Sequence, residues 1–243
     1  MDLFEPKPRS KKKSLASVRS LTLCLLPFIV TSAAYFALWP PPTEPSCFQA
    51  LLKCLPVLSL AFFVVAHSHG RLVPYTWKIL LALLLSAAGD VCLLWTDLFL
   101  HGMALFGLAH LLYILAFGLR PLHLHFFLPL AMLGGAFYAF LLPYLQGPLV
   151  YATGAYTALI SGLTWRALTR ARRTPYGRSW AHISSAVGAI IFMVSDSTLA
   201  VDRFCFLLPH AHLIVMVTYY LAQLLIALSV TQPSPSDELW KVE

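Results

Sequence analysis

The chain has 243 residues, of which 59% are hydrophobic and only 11% charged, with a mean hydropathy of +0.75. A soluble domain carries about 25% charged residues, and a water-soluble globule of this length cannot hide so much apolar surface. The composition therefore excludes that class, excludes a disordered chain, and points to an all-α, polytopic integral membrane protein, since long unbroken apolar runs stand where a β-barrel would alternate.

Residues 1–20, MDLFEPKPRSKKKSLASVRS, are polar and basic and read as a cytosolic tail rather than a signal peptide. A membrane span needs about 20 apolar residues rising 1.5 Å each. By that measure residues 21–230 form one membrane domain of eight transmembrane helices, near 21–39, 48–66, 77–95, 100–118, 124–142, 148–167, 180–200 and 208–230. Residues 231–243 form a second cytosolic tail. Pro27, Pro56 and Pro129 fall inside spans and can kink them. The connections are short, and the sixth is the basic TRARRTPYGRS.

Placing the N-terminus in the cytosol puts every Lys and Arg of the 17 on that side except Arg203, which lies opposite, and Lys53, which lies within a span. The positive-inside rule then sets both termini in the cytosol, and the basic face attracts anionic lipid. The net charge of +7 is accounted for in this way, and no nucleic-acid partner is expected. Trp39, Trp77, Trp95 and Trp180 sit at span ends as interfacial anchors. Of the five cysteines, Cys24, Cys54 and Cys92 read as small apolar helix residues. Cys47 and Cys205 face one compartment, and whether they pair is left open.

Three ionisable residues lie deep in spans: Lys53 in LLKCLPV, Asp90 in SAAGDVCLLW and Asp196 in FMVSDSTLA. Each charge costs about 2.5–3.5 kcal/mol at mid-membrane on insertion scales. Helical rise places all three at one depth, roughly 6–8 Å below the surface opposite the cytosol, so they can meet in one polar cavity. Other polar groups share this layer. His110 and Tyr113 are i, i+3 on the fourth span, Tyr219 and Gln223 are i, i+4 on the eighth, Ser86 precedes Asp90 by four residues, and Ser195 flanks Asp196. In lipid these groups must find partners inside the bundle. HSH (67–69), HLH (123–125) and HAH (210–212) have a ligand-like look, but they fall on different sides and no HExxH or HxxxH occurs. No metal and no cofactor are expected, with His210 and His212 the residues to watch.

LLKCLPV, SAAGDVCLLW, GLAHLLYILAFG, FMVSDSTLA and VTYYLAQLLIALS, in order and one per helix, resemble the lysoplasmalogenase (YhhN-like) family of eight-span membrane proteins, its animal members above all. The resemblance covers nearly the whole chain between the tails. It implies hydrolysis of the vinyl-ether bond of 1-alkenyl-glycerophosphocholine or 1-alkenyl-glycerophosphoethanolamine to a fatty aldehyde and glycerophosphocholine or glycerophosphoethanolamine, in the endoplasmic reticulum membrane. The family's two aspartates map onto Asp90 and Asp196, and Lys53, His110, Tyr113, Tyr219 and Gln223 fall within its motifs. A homodimer is left open.

The chemistry suits two carboxyl groups. A vinyl ether is protonated at its β-carbon, giving an oxocarbenium ion that water attacks, and the resulting hemiacetal collapses. One carboxylic acid supplies the proton and one carboxylate stabilises the cation and activates water, as in glycosidases. Two carboxyls close together in a low dielectric tend to share one proton. Which aspartate plays which part is left open, as is whether Lys53 pairs with a carboxylate or binds the lipid phosphate. His110, Tyr113, Tyr219 and Gln223 are expected to orient water and the glycerol hydroxyl. Three rival readings remain. An intramembrane aspartyl protease would show GxGD and YD, but Ala87 stands where the first Gly is needed and Ser195 precedes Asp196. A zinc-dependent membrane hydrolase lacks its HxxxH. A proton-coupled transporter uses buried carboxylates equally well.

Overall fold

A computed structural model describes residues 9–38, 46–68, 73–172 and 180–231, with side chains from residue 21 onward. The basic residues of the N-terminal stretch, Trp39, His69, Arg71, Arg173, Arg178 and Lys241 lie outside the described side chains. Among the described residues eight α-helices run Arg9–Ala37 (α1), Cys47–His67 (α2), Pro74–Cys92 (α3), Phe99–Phe117 (α4), Leu124–Leu141 (α5), Pro148–Ala171 (α6), Trp180–Phe204 (α7) and Ala211–Leu228 (α8). Six of these segments, α2 to α5, α7 and α8, are long and apolar enough to cross a membrane. The apolar part of α1, Leu21–Ala37, is shorter. The expected elements are all present, but α1 starts at Arg9, within the stretch that reads as a tail, and α6 continues through Arg166 and Arg170 to Ala171.

Local chemistry explains where the helices begin and end. Ser46 caps α2 through a reciprocal pair of hydrogen bonds with Gln49, 3.2 Å each, so two orphan amides of the first turn are satisfied. Pro74 and Pro148 open α3 and α6, where a missing N–H costs nothing. Gly118 ends α4 with φ of 87°, a region closed to most side chains. Its carbonyl accepts from Arg166 Nε at 2.5 Å, and Arg166 Nη1 donates to the Pro121 carbonyl at 2.6 Å. These bonds let Arg166 lie buried inside α6 rather than in an aqueous loop, and they tie α6 to the α4–α5 connection. Arg170 stacks over the Tyr75 ring at 4.2 Å.

Packing closes a ring of six helices in the order α2, α3, α4, α6, α7, α8, with α8 returning to α2. Helix α1 flanks α2 from outside and α5 flanks α6. Leu60, Ile79, Leu163, Phe192 and Ile226, one from each of five ring helices, are fully buried in its interior. The outer faces carry exposed Leu, Ile, Val and Phe, as lipid-facing surfaces do. Trp77 and Trp180 are exposed in the first turns of α3 and α7, consistent with anchoring at an interface. Cys47 and Cys205 are both free thiols.

Small residues set how closely the ring helices approach. A Cβ added to Gly188 of α7 would lie 3.0 Å from the Ala222 carbonyl oxygen and 3.0 Å from side-chain atoms of Leu225 and Ile226 on α8. Gly135 of α5 has nothing within 4 Å of the same position. Gly188→Leu is therefore expected to cost about 1–3 kcal/mol by overpacking, seen as a lower melting temperature in detergent. Gly135→Ala leaves the melt unchanged or raises it slightly, because it only improves helix propensity. Equal melts for the two variants would contradict the close approach of α7 to α8.

Candidate active site

Two clusters of polar side chains form where the ring brings its helices together. The first joins α2, α3 and α8. Lys53 Nζ lies 3.4 Å from Asp90 Oδ1, and the Tyr219 hydroxyl donates to Asp90 Oδ2 at 2.6 Å. The Asp90 side chain is 2% exposed, so these contacts replace bulk water around it. Backbone features hold the pair. Pro56 cannot supply the amide that would bond the carbonyl one turn earlier, and the neighbouring Lys53 carbonyl accepts the Tyr220 hydroxyl at 2.8 Å. Gly89 lets α4 approach beside Asp90, since a Cβ there would meet the Phe106 ring at 2.7 Å. Cys54 is buried and donates from Sγ to the Ala87 carbonyl at 3.2 Å, one turn before Asp90.

The second cluster joins α4, α6 and α7. Asp196 Oδ2 lies 3.1 Å from His110 Nε2 and accepts the Tyr156 hydroxyl at 2.7 Å. The Tyr156 hydroxyl and His110 Nε2 are themselves 3.1 Å apart, so the three groups close a triangle. His110 is fully buried, and its Nδ1 has no hydrogen-bond partner among the described residues. Asp196 keeps 15% of its side-chain exposure.

Rings link the clusters. Tyr219 packs edge-on against Phe192 at 5.6 Å, and Phe192 packs edge-on against His110 at 4.8 Å. Asp90 and Asp196 therefore stand on either side of an aromatic partition, each with its own partners, and no hydrogen bond joins them. Both line one cavity of about 650 Å³, together with Lys53, Tyr156 and Tyr219. Leu133 and Phe137 of α5, Ile160 of α6 and Met193 of α7 add apolar wall.

Helical registers explain the convergence. Phe99, Met103, Phe106, His110, Tyr113 and Phe117 repeat at 3–4 residue spacing, so one stripe of α4 runs from the cavity rim to the far end of the bundle. His212, Met216, Tyr219 and Gln223 form the matching stripe on α8. Of the residues expected in the polar layer, Lys53, Asp90, His110, Asp196 and Tyr219 lie in the two clusters. Tyr113 and Gln223 bond each other instead, the hydroxyl donating to Gln223 Oε1 at 2.7 Å, and neither touches a carboxylate. Ser86 and Ser195 turn to the Ala82 and Val215 carbonyls.

Tyr156 is the participant that sequence reasoning missed. It stands in a helix rich in Thr and Ser, where one more hydroxyl carries no signal; only its place on the same face as the ring interior singles it out. Among the described residues no three His, Cys, Asp or Glu side chains come together as metal ligands. His212 lies at the cavity with Nε2 3.3 Å from the Tyr35 hydroxyl, while His210 starts α8 in the left-handed region with φ of 59°.

The YhhN family model matches residues 48–230, which span every helix from α2 to α8. The chain is 46% identical over 208 residues to lysoplasmalogenase TMEM86B of Sus scrofa, covering 86% of each. It is 42% identical over 212 residues to lysoplasmalogenase TMEM86A of Bos taurus, covering 86% of this chain and 88% of that one. With lysoplasmalogenase TMEM86B of Homo sapiens it shares 42% identity over 217 residues, 88% of this chain and 89% of the relative. No solved structure matches. A match that takes in both clusters and the whole ring, joined to relatives alike over nearly their full lengths, leaves one assignment: the chain belongs to the YhhN family.

Proposed function

We propose that this chain is a lysoplasmalogenase that hydrolyses the vinyl-ether bond of 1-alkenyl-glycerophosphocholine or -ethanolamine with Asp90 and Asp196 as its catalytic pair. The observation that carries the reading is that two carboxylates, each held by side chains from two other helices, line one otherwise largely apolar cavity. The names of the relatives support the substrate class.

The partners of each carboxylate suggest a division of labour. Both Asp90 oxygens act as acceptors, one toward the Lys53 ammonium and one from the Tyr219 hydroxyl, so this shell suits a carboxylate. Among the described residues Asp196 engages its partners through Oδ2 alone, leaving Oδ1 to carry a proton to the substrate. In the first step Asp196 protonates the vinyl β-carbon; the double-bond electrons form the new C–H bond, and the positive charge passes to the ether oxygen and its carbon. Asp90 faces that charge and takes a proton from the water that adds to the carbon bearing oxygen. The hemiacetal then loses its hydroxyl proton to the Asp196 carboxylate as its C–O bond to glycerol breaks. The departing oxygen takes the proton held at Asp90, giving the aldehyde and the glycerophospho alcohol with both aspartates restored. His110 and Tyr156 position Asp196, and Lys53 and Tyr219 position Asp90. The apolar wall from α5, α6 and α7 receives the alkenyl tail. In this reading both termini lie in the cytosol and the membrane is that of the endoplasmic reticulum.

The test is aldehyde release from 1-alkenyl-glycerophosphocholine by protein purified in detergent. Wild type is expected to release aldehyde without added metal and in the presence of chelator. Asp90→Asn and Asp196→Asn each lower kcat at least about 100-fold, the usual weight of a general acid or base; both variants remain folded at the assay temperature, Asp196→Asn with an unchanged melting curve and Asp90→Asn with a lowered one because Lys53 loses its counter-charge. Full activity in either variant would remove the pair, loss with chelator would favour a metal-dependent hydrolase, and uptake by sealed vesicles without product would favour a transporter.

Tyr156→Phe is expected to lower kcat about tenfold, close to 1.4 kcal/mol, through loss of one hydrogen bond to a charged group. The melting temperature of the fold responds differently to the other cluster. Lys53→Met leaves Asp90 buried without its counter-charge and costs on the order of 3 kcal/mol. The double variant Lys53→Met/Asp90→Asn recovers much of that loss, and simple additivity of the two single changes would contradict the ion pair.

A further inference from the structure

Two cations line the cavity, Lys53 and Arg203. Lys53 is committed to Asp90 at 3.4 Å. Arg203, in the last turn of α7, is exposed and has no carboxylate within ion-pair distance among the described residues. Its guanidinium is steered instead by an apolar ring, with Cζ 5.2 Å from the Phe99 centroid. Phe99 packs edge-on against Phe204 at 5.8 Å and also lines the cavity, so the rim of the site is a built aromatic seat for a cation. The neighbouring acid, Asp202, already accepts the Leu208 amide on Oδ1 at 2.9 Å. Arg203 is also the one basic residue that charge asymmetry sets opposite the cytosolic face. A cation is favourable at a helix C-terminus, but that alone does not bring it to a cavity edge.

Register ties Arg203 to the reacting end of the site. Asp196 and Arg203 are seven residues apart on α7, which puts them on one face, two turns and roughly 10 Å apart along the axis. In the proposed substrate the phosphate is separated from the vinyl-ether oxygen by the three glycerol carbons and one further oxygen. With the vinyl carbons at Asp196, a phosphate falls toward the rim, within reach of a long guanidinium side chain. A planar guanidinium offers paired N–H donors that match two phosphate oxygens.

We propose that Arg203, seated on Phe99, binds the headgroup phosphate of the lysophospholipid and fixes how far the lipid enters the cavity. This rests on the reading of the chain as a lysoplasmalogenase, but it concerns binding and can be tested without turnover. The probes are 1-alkyl-glycerophosphocholine, whose ether is not a vinyl ether, and 1-alkylglycerol, which lacks the phosphate. Equilibrium binding of each to full-length protein in detergent is measured for wild type, Arg203→Gln and Arg203→Lys.

Arg203→Gln is expected to weaken the phospholipid probe about tenfold or more and to leave 1-alkylglycerol within about twofold. Arg203→Lys falls between wild type and Arg203→Gln. With a vinyl-ether substrate the same change appears in KM and much less in kcat, as for an interaction made equally in ground and transition states. Inorganic phosphate at millimolar concentration does not displace the lipid probe. Equal weakening of both probes, no weakening of either, or displacement by inorganic phosphate overturns the assignment. A melting curve unchanged in Arg203→Gln separates lost recognition from lost fold. Wild-type protein that binds the phospholipid probe through Arg203 yet releases no aldehyde would sink the hydrolase reading and leave the phosphate site standing.

Discussion

Lys53 and Asp90 meet at 3.4 Å in a place where neither side chain can be solvated as it would be in water. A lone charge there would carry a penalty of several kcal/mol, and breaking one partner of a buried pair is far worse than removing both. The arrangement of α2, α3 and α8 follows from this need. Tyr220 holds the Lys53 carbonyl, Gly89 lets α4 close over Asp90, and Tyr219 completes the carboxylate's shell. A ring that closes α8 onto α2 is what allows the third partner to arrive.

The Asp196 cluster meets the same need with different parts. Here a histidine and a tyrosine take the place of the lysine, and the carboxylate keeps one oxygen unengaged. The cavity between the clusters thus has unlike carboxyl groups on its two sides. One accepts contacts on both oxygens and one on a single oxygen, and Phe192 stands between them. In the proposed reaction that asymmetry suits one carboxyl group to act as acid and the other as base on one alkene.

Much of the fold was legible because a membrane leaves few options for twenty apolar residues in a row. All eight helices lie where the apolar runs put them, and the largest differences fall where charge misled. Arg170 reads as part of the basic loop and Arg166 as a residue at the cytosolic end of the sixth span, yet α6 continues past both because carbonyls at Gly118 and Pro121 and the ring of Tyr75 receive their guanidinium groups. The residues of the site were legible for the same reason that they are costly: Lys53, Asp90 and Asp196 stand out against lipid. Their pairing was not. Spacing along one helix identifies a face, but how helices turn toward each other depends on packing at residues such as Gly89 and Gly188. Two aspartates at one depth therefore read as partners of each other, whereas each is bonded to its own set. Tyr113 and Gln223 read as part of the same set, although a single hydrogen bond pairs them away from it. Tyr156 was invisible because hydroxyl residues are common in its helix.

The order of these partners along the chain bears on how such a protein is made. Lys53 and Asp90 belong to consecutive helices, so the two can enter the bilayer as one hairpin whose charges cancel during insertion. Asp196 emerges from the ribosome only after α4 and α6, which carry His110 and Tyr156, have already been synthesised. Each acid thus follows the groups that first neutralise or bond it, while Tyr219 comes from the last helix. A nascent chain never needs to leave a bare carboxylate waiting in lipid for a distant rescuer.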